Sequence, residues 1–219
     1  MSGRLKVVGT GPGNHGELSP RALEALKGAD TIVGYPRYID LIRDLIPEKE
    51  ILTSGMKREK ERAAAALEAA RQGKAVCLVS GGDPGVYGLA GLLLELVTEE
   101  EQETLALEVV PGITAATAAA SALGAPLTHD FAVISLSDLL TEADLIRKRL
   151  GLAAEGDFVT VIYNPKSRRR SELFFLLPEI FLPHRSPNTP VGIVSNAGRE
   201  EEERIITDLA QLPDHADSV

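Results

Sequence analysis

Residues 75–88, Ala75-Val76-Cys77-Leu78-Val79-Ser80-Gly81-Gly82-Asp83-Pro84-Gly85-Val86-Tyr87-Gly88, decide the fold class. An unbroken apolar run from Ala75 to Val79 reads as a buried strand, and the small turn-forming residues behind it end that strand abruptly. Asp83 fits the cap of a following helix, with Pro84 at its first position and Val86 to Val97 as its body. The same turn also suits close approach of a ligand to the backbone, since glycines leave the main chain uncovered. Both readings stand at this level.

The strand–turn–helix rhythm continues outward in both directions. Towards the N-terminus, Leu5 to Val8 is a strand ended by Gly9-Thr10-Gly11-Pro12-Gly13. Ser19 caps a helix that opens at Pro20 and stops near Gly28, and Thr31 to Val33 forms another strand. Arg58 to Arg71 is alanine-rich with charges at helical spacing, closed by Gly73. Towards the C-terminus, Leu105 to Val110 is a strand halted by Pro111-Gly112, and Ile113 to Leu123 is a helix. Beyond Gly124-Ala125-Pro126 the rhythm restarts, with strands at 132–136, 158–163 and 191–195 and helices at about 141–156 and 173–181. Thr141 and Asp144 suit a capping box at the first of those helices. The pattern predicts an α/β protein of two domains, 1–113 and 114–219, the first with a mainly parallel sheet and the second with a mixed one. A further closing strand, expected in such a second domain, is missing from the end of the sequence.

Composition narrows the function. The 219 residues are 44% hydrophobic and 25% charged, ordinary for a soluble globular protein, and the net charge of −9 argues against a broad nucleic-acid surface. Cys77 is the single cysteine, which excludes an intrachain disulfide and a thiolate cluster; its apolar neighbours make it a core residue rather than a nucleophile. No secretory leader or run of ~18 apolar residues is present, so the expectation is a cytoplasmic protein without a membrane span. The four histidines, at 15, 129, 184 and 215, are scattered and flank no carboxylate motif, so no metal site is expected. Gly9-Thr10-Gly11-Pro12-Gly13-Asn14 fails the dinucleotide fingerprint: Asn14 stands where a third glycine is needed, and Gly34-Tyr35 where an acidic residue should end the second strand. No glycine loop leads into Lys-Ser or Lys-Thr, so a P-loop is unsupported as well.

Three turns at strand ends, Gly9–Gly13, Gly81–Gly88 and Pro111-Gly112-Ile113-Thr114-Ala115-Ala116, together resemble the tetrapyrrole (cobalamin precorrin) methyltransferase family. Within it, the fit is to the branch acting at carbon 17 of precorrin-3B or cobalt-factor III. Gly34-Tyr35 with Tyr38, Gly55-Met56-Lys57 with Glu59 and Arg62, Leu127–Phe131, Ile134–Leu140, Tyr163–Ser167, Pro190–Val194 and Asn196–Arg199 carry that fit across essentially the whole chain. Gly81 and Pro84 depart from the branch, where Ser and Ala are expected. The resemblance implies two α/β domains with a ligand cleft between them, S-adenosylmethionine as methyl donor, an acidic tetrapyrrole as substrate, and a homodimer. Carried over residue by residue, donor contacts fall on Pro12, Gly81, Gly82, Asp83, Val86, Thr114, Ala115, Leu136, Asn164 and Ala197.

Basic residues near such a site suit a substrate rich in carboxylates; Arg37, Lys57, Lys166 and Arg168 are the candidates, with Arg58, Arg169 and Arg170 beside them. The branch couples methylation to ring contraction, which needs proton movement. His129 and Asp130 are the candidate acid–base pair, with Tyr35 and Asp138 as alternatives. Competing readings are another precorrin or uroporphyrinogen methylase, and a non-catalytic binder of S-adenosylmethionine.

Overall fold

A computed structural model describes residues 3–166 and 171–218. The chain divides into two compact units, Met1–Ala115 and Ala116–Val219.

The first unit is an open five-stranded sheet with order β3-β2-β4-β1-β5 and every pair parallel. Its strands are β1 (Arg4–Gly9), β2 (Thr31–Gly34), β3 (Glu50–Thr53), β4 (Ala75–Ser80) and β5 (Ala106–Val110). Five helices connect them: α1 (Pro20–Lys27), α2 (Pro36–Asp40), α3 (Glu59–Arg71), α4 (Ala90–Leu96) and α5 (Glu99–Thr104). All six residues of β4 are buried, which explains the unbroken apolar run: a central parallel strand is covered on both faces. On one face Leu5, Val7, Val76 and Leu78 pack with α3 and α4; on the other Val8, Ile32, Cys77 and Val79 pack with α1 and α2. Cys77 is 1% exposed, its Sγ lies 3.2 Å from the Ala25 carbonyl, and burial pushes its thiol up to about 12. It is a core residue.

Local signals account for most element ends. The Ser19 hydroxyl accepts from the Ala22 amide at 3.1 Å, capping α1 as its sequence requires. Two expectations are corrected. The helix expected from Val86 starts only at Ala90, without a side-chain cap, because Tyr87 lies in left-handed backbone at φ +51°, which a right-handed helix cannot include. The Thr141–Asp144 capping box does not form; the helix begins at Ala143 behind Glu142.

The second unit carries both strand orientations in separate ladders. Helix α6 (Ala115–Ala122) leads into β6 (Phe131–Ser135), α7 (Ala143–Glu155) and β7 (Val159–Tyr163), the two strands pairing in parallel. Two short helices follow, α8 (Glu172–Phe175) and α9 (Leu177–Phe181). Then β8 (Pro190–Ser195) pairs antiparallel with β9 (Glu203–Asp208). Ile134, Leu136, Ile146, Leu150, Phe174 and Leu177 form its core. Strands β3 and β9 escaped the sequence reading because each is an edge strand with only two consecutive isoleucine or leucine residues, Ile51-Leu52 and Ile205-Ile206, too short an apolar run to stand out between polar and charged neighbours.

Candidate functional site

In the first unit, β1 leads away across β4 to reach β2, whereas β4 leads away across β1 to reach β5. Neighbouring strands whose connections depart in opposite directions define a topological switch point, and open α/β sheets bind ligands outside the carboxyl ends of such strands. The three glycine turns lie there, since β1, β4 and β5 are adjacent and all run the same way.

Main-chain contacts lock these turns together. Gly11 and Gly82 exchange hydrogen bonds, the Gly11 amide donating to the Gly82 carbonyl at 3.1 Å and the Gly82 amide returning one at 2.8 Å. The Thr10 amide donates to the Ser80 carbonyl at 3.0 Å. Asp83 spans the remaining gap: one carboxylate oxygen accepts from the Gly85 amide at 2.7 Å, the other from the Gly112 amide at 3.0 Å. Asp83 therefore ties the turn after β4 to the turn after β5. Gly112 is obligatory, because any Cβ there would overlap the Gly82 carbonyl oxygen. Gly82 sits at φ +65°, in left-handed backbone, and a Cβ on it would meet nothing nearer than Thr114 Cα at 3.7 Å. The floor is thus tightly packed below Gly82 and open above it. Such a surface fits a ligand read through main-chain groups, as the adenosine and amino-acid parts of S-adenosylmethionine would be.

Pro12 is buried beside this floor, while Gly81, Asp83, Val86 and Thr114 are half-buried and Ala115 is exposed. The seven donor candidates of the first unit are accordingly gathered along one edge. Further along it, the Tyr38 ring covers Gly81, where a Cβ would come within 2.7 Å of two ring carbons. Tyr35 packs edge-on against Tyr38 with ring centroids 5.6 Å apart, at the start of α2. Arg37 follows, exposed. Lys57 lies exposed in the turn after β3, in left-handed backbone at φ +64°.

In the second unit, Asn164 is exposed at the carboxyl end of β7, and its amide donates to the Ser135 hydroxyl at 3.0 Å across to β6. Leu136 has its side chain in the core and is 4% exposed, so its main chain is what it offers to a ligand. Ala197 lies just past β8, between Asn196 and Gly198, both at positive φ. Lys166 is committed internally: its ammonium donates to the Ala216 carbonyl at 2.6 Å and pairs with Asp217 at 3.2 Å. His129 and Asp130 are exposed and precede β6, at the opposite end of that strand from Leu136 and Asn164. Five residues of strand separate the two ends by roughly 15 Å. The structure does not bring this pair to the Asn164 end. Arg168 lies outside the described residues, as do Arg169 and Arg170.

Sequence reasoning missed Gly112 as a packing requirement and Asp83 as a tie. The signal for Gly112 was its place in the Pro111-Gly112 turn after β5; for Asp83 nothing local distinguished a cap from a cross-link. No group of three or more His, Cys, Asp or Glu is placed to hold a metal ion, and no helix is long and apolar enough to cross a membrane, among the described residues.

An open parallel sheet with glycine turns meeting at its switch point defines an α/β protein of the class whose folds bind small ligands at that edge. Residues 4–213 match the family model of the tetrapyrrole (corrin/porphyrin) methylases, and the chain belongs to that family. A cobalt-factor III methyltransferase of Priestia megaterium is 46% identical over 98% of this chain, which spans 40% of that protein's length. A probable cobalt-factor III C(17)-methyltransferase of Salmonella typhimurium is 45% identical over 95% of this chain and 86% of its own. The crystal structure of the methyltransferase CobJ superposes with a TM-score of 0.88 at 36% identity, covering 95% of this chain and 87% of that one.

Proposed function

We propose that this protein transfers a methyl group from S-adenosylmethionine to carbon 17 of precorrin-3B or its cobalt-containing counterpart, cobalt-factor III, with contraction of the macrocycle. One observation carries the donor half of this reading: the Gly11–Gly82 bridge and the Asp83–Gly112 tie form an open main-chain floor at the switch point. The substrate half is supported by the relatives that carry those activities in their names, including a precorrin-3B C(17)-methyltransferase of Sinorhizobium sp, 41% identical over 96% of this chain and 84% of its own. Use of the donor is supported by a uroporphyrin-III C-methyltransferase of Thermus thermophilus solved with S-adenosylhomocysteine, TM-score 0.66 at 26% identity over 98% of this chain and 87% of that one.

The donor, when bound, supplies an electrophilic methyl group on a sulfonium. The chain's task is to hold and orient. Pro12, Gly81, Gly82, Val86, Thr114 and Ala115 offer small side chains and main-chain groups for that, and Asp83 keeps the turns in register. Placing two reactants in near-attack geometry supplies about 7–11 kcal/mol of a barrier. That suffices for a displacement that needs no covalent intermediate on the protein. For the proton movements of ring contraction, Tyr35 is a candidate on the same edge as the glycine turns; within the second unit, His129 and Asp130 lie at the end of β6 opposite Asn164. Arg37 and Lys57 are the candidates for substrate carboxylates on that edge.

The same reading makes the protein a cytoplasmic homodimer. Exposed apolar side chains on the second unit, Leu140 at 97% and Ile206 at 73% among them, support a partner there. The deciding experiment incubates the purified protein with S-adenosylmethionine and either precorrin-3B or cobalt-factor III, and reads product mass and methyl position. A ring-contracted product methylated at carbon 17 is expected. Methylation elsewhere, or of uroporphyrinogen, moves the protein to another branch of the family; binding of S-adenosylhomocysteine without turnover of any tetrapyrrole makes it a non-catalytic binder.

A further inference from the structure

Arg62 is a charge without a counter-charge among the described residues. It projects from the first turn of α3 and is 4% exposed, the one arginine among the described residues to be buried. A single guanidinium nitrogen donates to two successive carbonyls, Ser54 at 3.0 Å and Gly55 at 2.9 Å. The guanidinium carbon lies 5.6 Å from the centroid of the Tyr35 ring. Its Nε has no hydrogen-bond partner, and it makes no ion pair with a described carboxylate.

These features have a common consequence. An arginine side chain stays protonated at any working pH, so its charge cannot be relieved by losing a proton. Buried charges in folded proteins are ordinarily paired, and one left unpaired calls for a functional account. Here the carbonyls and the ring face stabilise the cation only by dipole and quadrupole, leaving its full positive charge behind the surface made by Tyr35 and residues 54–57. The clamp on two successive carbonyls also fixes the chain just before Lys57. That residue holds a left-handed conformation which a lysine adopts only when its surroundings impose it. Ser54–Lys57 and Tyr35 stand at the carboxyl ends of β3 and β2, on the same edge as the donor floor, and Tyr38 links the two regions by covering Gly81.

We propose that Arg62 is a positioning residue for the substrate: it fixes Lys57 and Tyr35 as one recognition element and backs them with positive charge, selecting a polycarboxylate ligand on an otherwise acidic protein. The proposal rests on the tetrapyrrole reading given above. Lys57 touches the ligand's carboxylate; Arg62 acts through Lys57 and Tyr35.

The test uses the full chain with Arg62→Met, Arg62→Lys, Lys57→Met and the double variant Arg62→Met/Lys57→Met. S-adenosylhomocysteine affinity is read by calorimetry, uroporphyrin affinity by fluorescence quenching, and KM and kcat for the tetrapyrrole by methyl transfer. Lys57→Met and Arg62→Met should each weaken uroporphyrin binding and raise KM about tenfold. Donor affinity should stay within about threefold in both, Arg62→Lys should recover part of the loss, and the double variant should be little worse than either single one. Because Lys57 is exposed, its variant keeps the question open to refutation even where Arg62→Met does not fold. Unchanged uroporphyrin affinity in Lys57→Met, or parallel loss of donor and uroporphyrin affinity in a folded Arg62→Met, overturns the proposal. Should the wild-type protein bind uroporphyrin through this element but turn over no tetrapyrrole, the methyltransferase reading fails while this inference stands.

Discussion

Replacing Asp83 by alanine tests directly whether the glycine-turn floor is the proposed donor site. Its carboxylate accepts two main-chain hydrogen bonds, a local one from Gly85 at 2.7 Å and one from Gly112, 29 residues away, at 3.0 Å. A hydrogen bond to an ionised group contributes about 1.5–3 kcal/mol, and water repays part of the loss at a half-buried site, so the lower end applies. The Gly85 bond shapes only its own turn. The Gly112 bond sets the spacing between the turns after β4 and β5, so its loss should appear in donor binding. About 1.5 kcal/mol corresponds to roughly a tenfold weaker affinity. Calorimetric titration with S-adenosylhomocysteine, alongside thermal unfolding, separates this from global damage. Asp83→Asn should fall between, since its amide has one carbonyl to offer two N–H groups. If Asp83→Ala folds normally and binds S-adenosylhomocysteine within twofold of the wild type, the tie does not hold the floor and the argument fails.

Other consequences are open to simple measurement. Gly82→Ala should cost about 1–2 kcal/mol of stability from its left-handed backbone, seen in denaturant titration, whereas Gly112→Ala should fail to fold normally because its methyl group meets a carbonyl oxygen. His129→Ala should retain methyl transfer within about threefold, given its distance from the Asn164 end of β6; a loss of a hundredfold would restore it as an acid–base group. The Arg71 guanidinium, followed by the Thr98 amide, holds the Glu101 carboxyl down at about 2 against an ordinary 4.5. A depressed carboxylate contributes stability above its unfolded pKa and loses it as pH falls through the folded one, so melting temperature should drop between pH 4.5 and 2, less steeply in Glu101→Gln. Cys77, buried with its thiol raised to about 12, should resist alkylation in the native protein at pH 8 and react once denatured.

Much of the first unit was legible because its signals are local. A both-faces-buried strand such as β4 shows as an unbroken apolar run, the Ser19-Pro20 pair marks a helix start by its own chemistry, and glycine turns announce where strands end. Edge strands β3 and β9 hid because each has only two consecutive apolar residues, less than a both-faces-buried strand shows. The capping box at Thr141 failed in the opposite way: the motif was present, but the helix begins at Ala143 behind Glu142 and the box does not form.

The residue types along the chain thus determined an α/β protein with glycine turns after three strands, and a family whose motifs those turns share. Only the tertiary structure decided what the turns do together. Strand order β3-β2-β4-β1-β5 makes neighbours of turns that lie about seventy residues apart in the chain, and Asp83 became a cross-link as well as a local turn cap because Gly112 stood within reach. It likewise placed His129 at the end of β6 opposite Asn164, committed Lys166 to the chain's own carbonyl, and left Arg62 buried beside Tyr35 with no ion-paired acid among the described residues. Spacing in sequence encodes which groups can cap or turn locally; which groups meet across a sheet depends on strand order, and no local signal carries that.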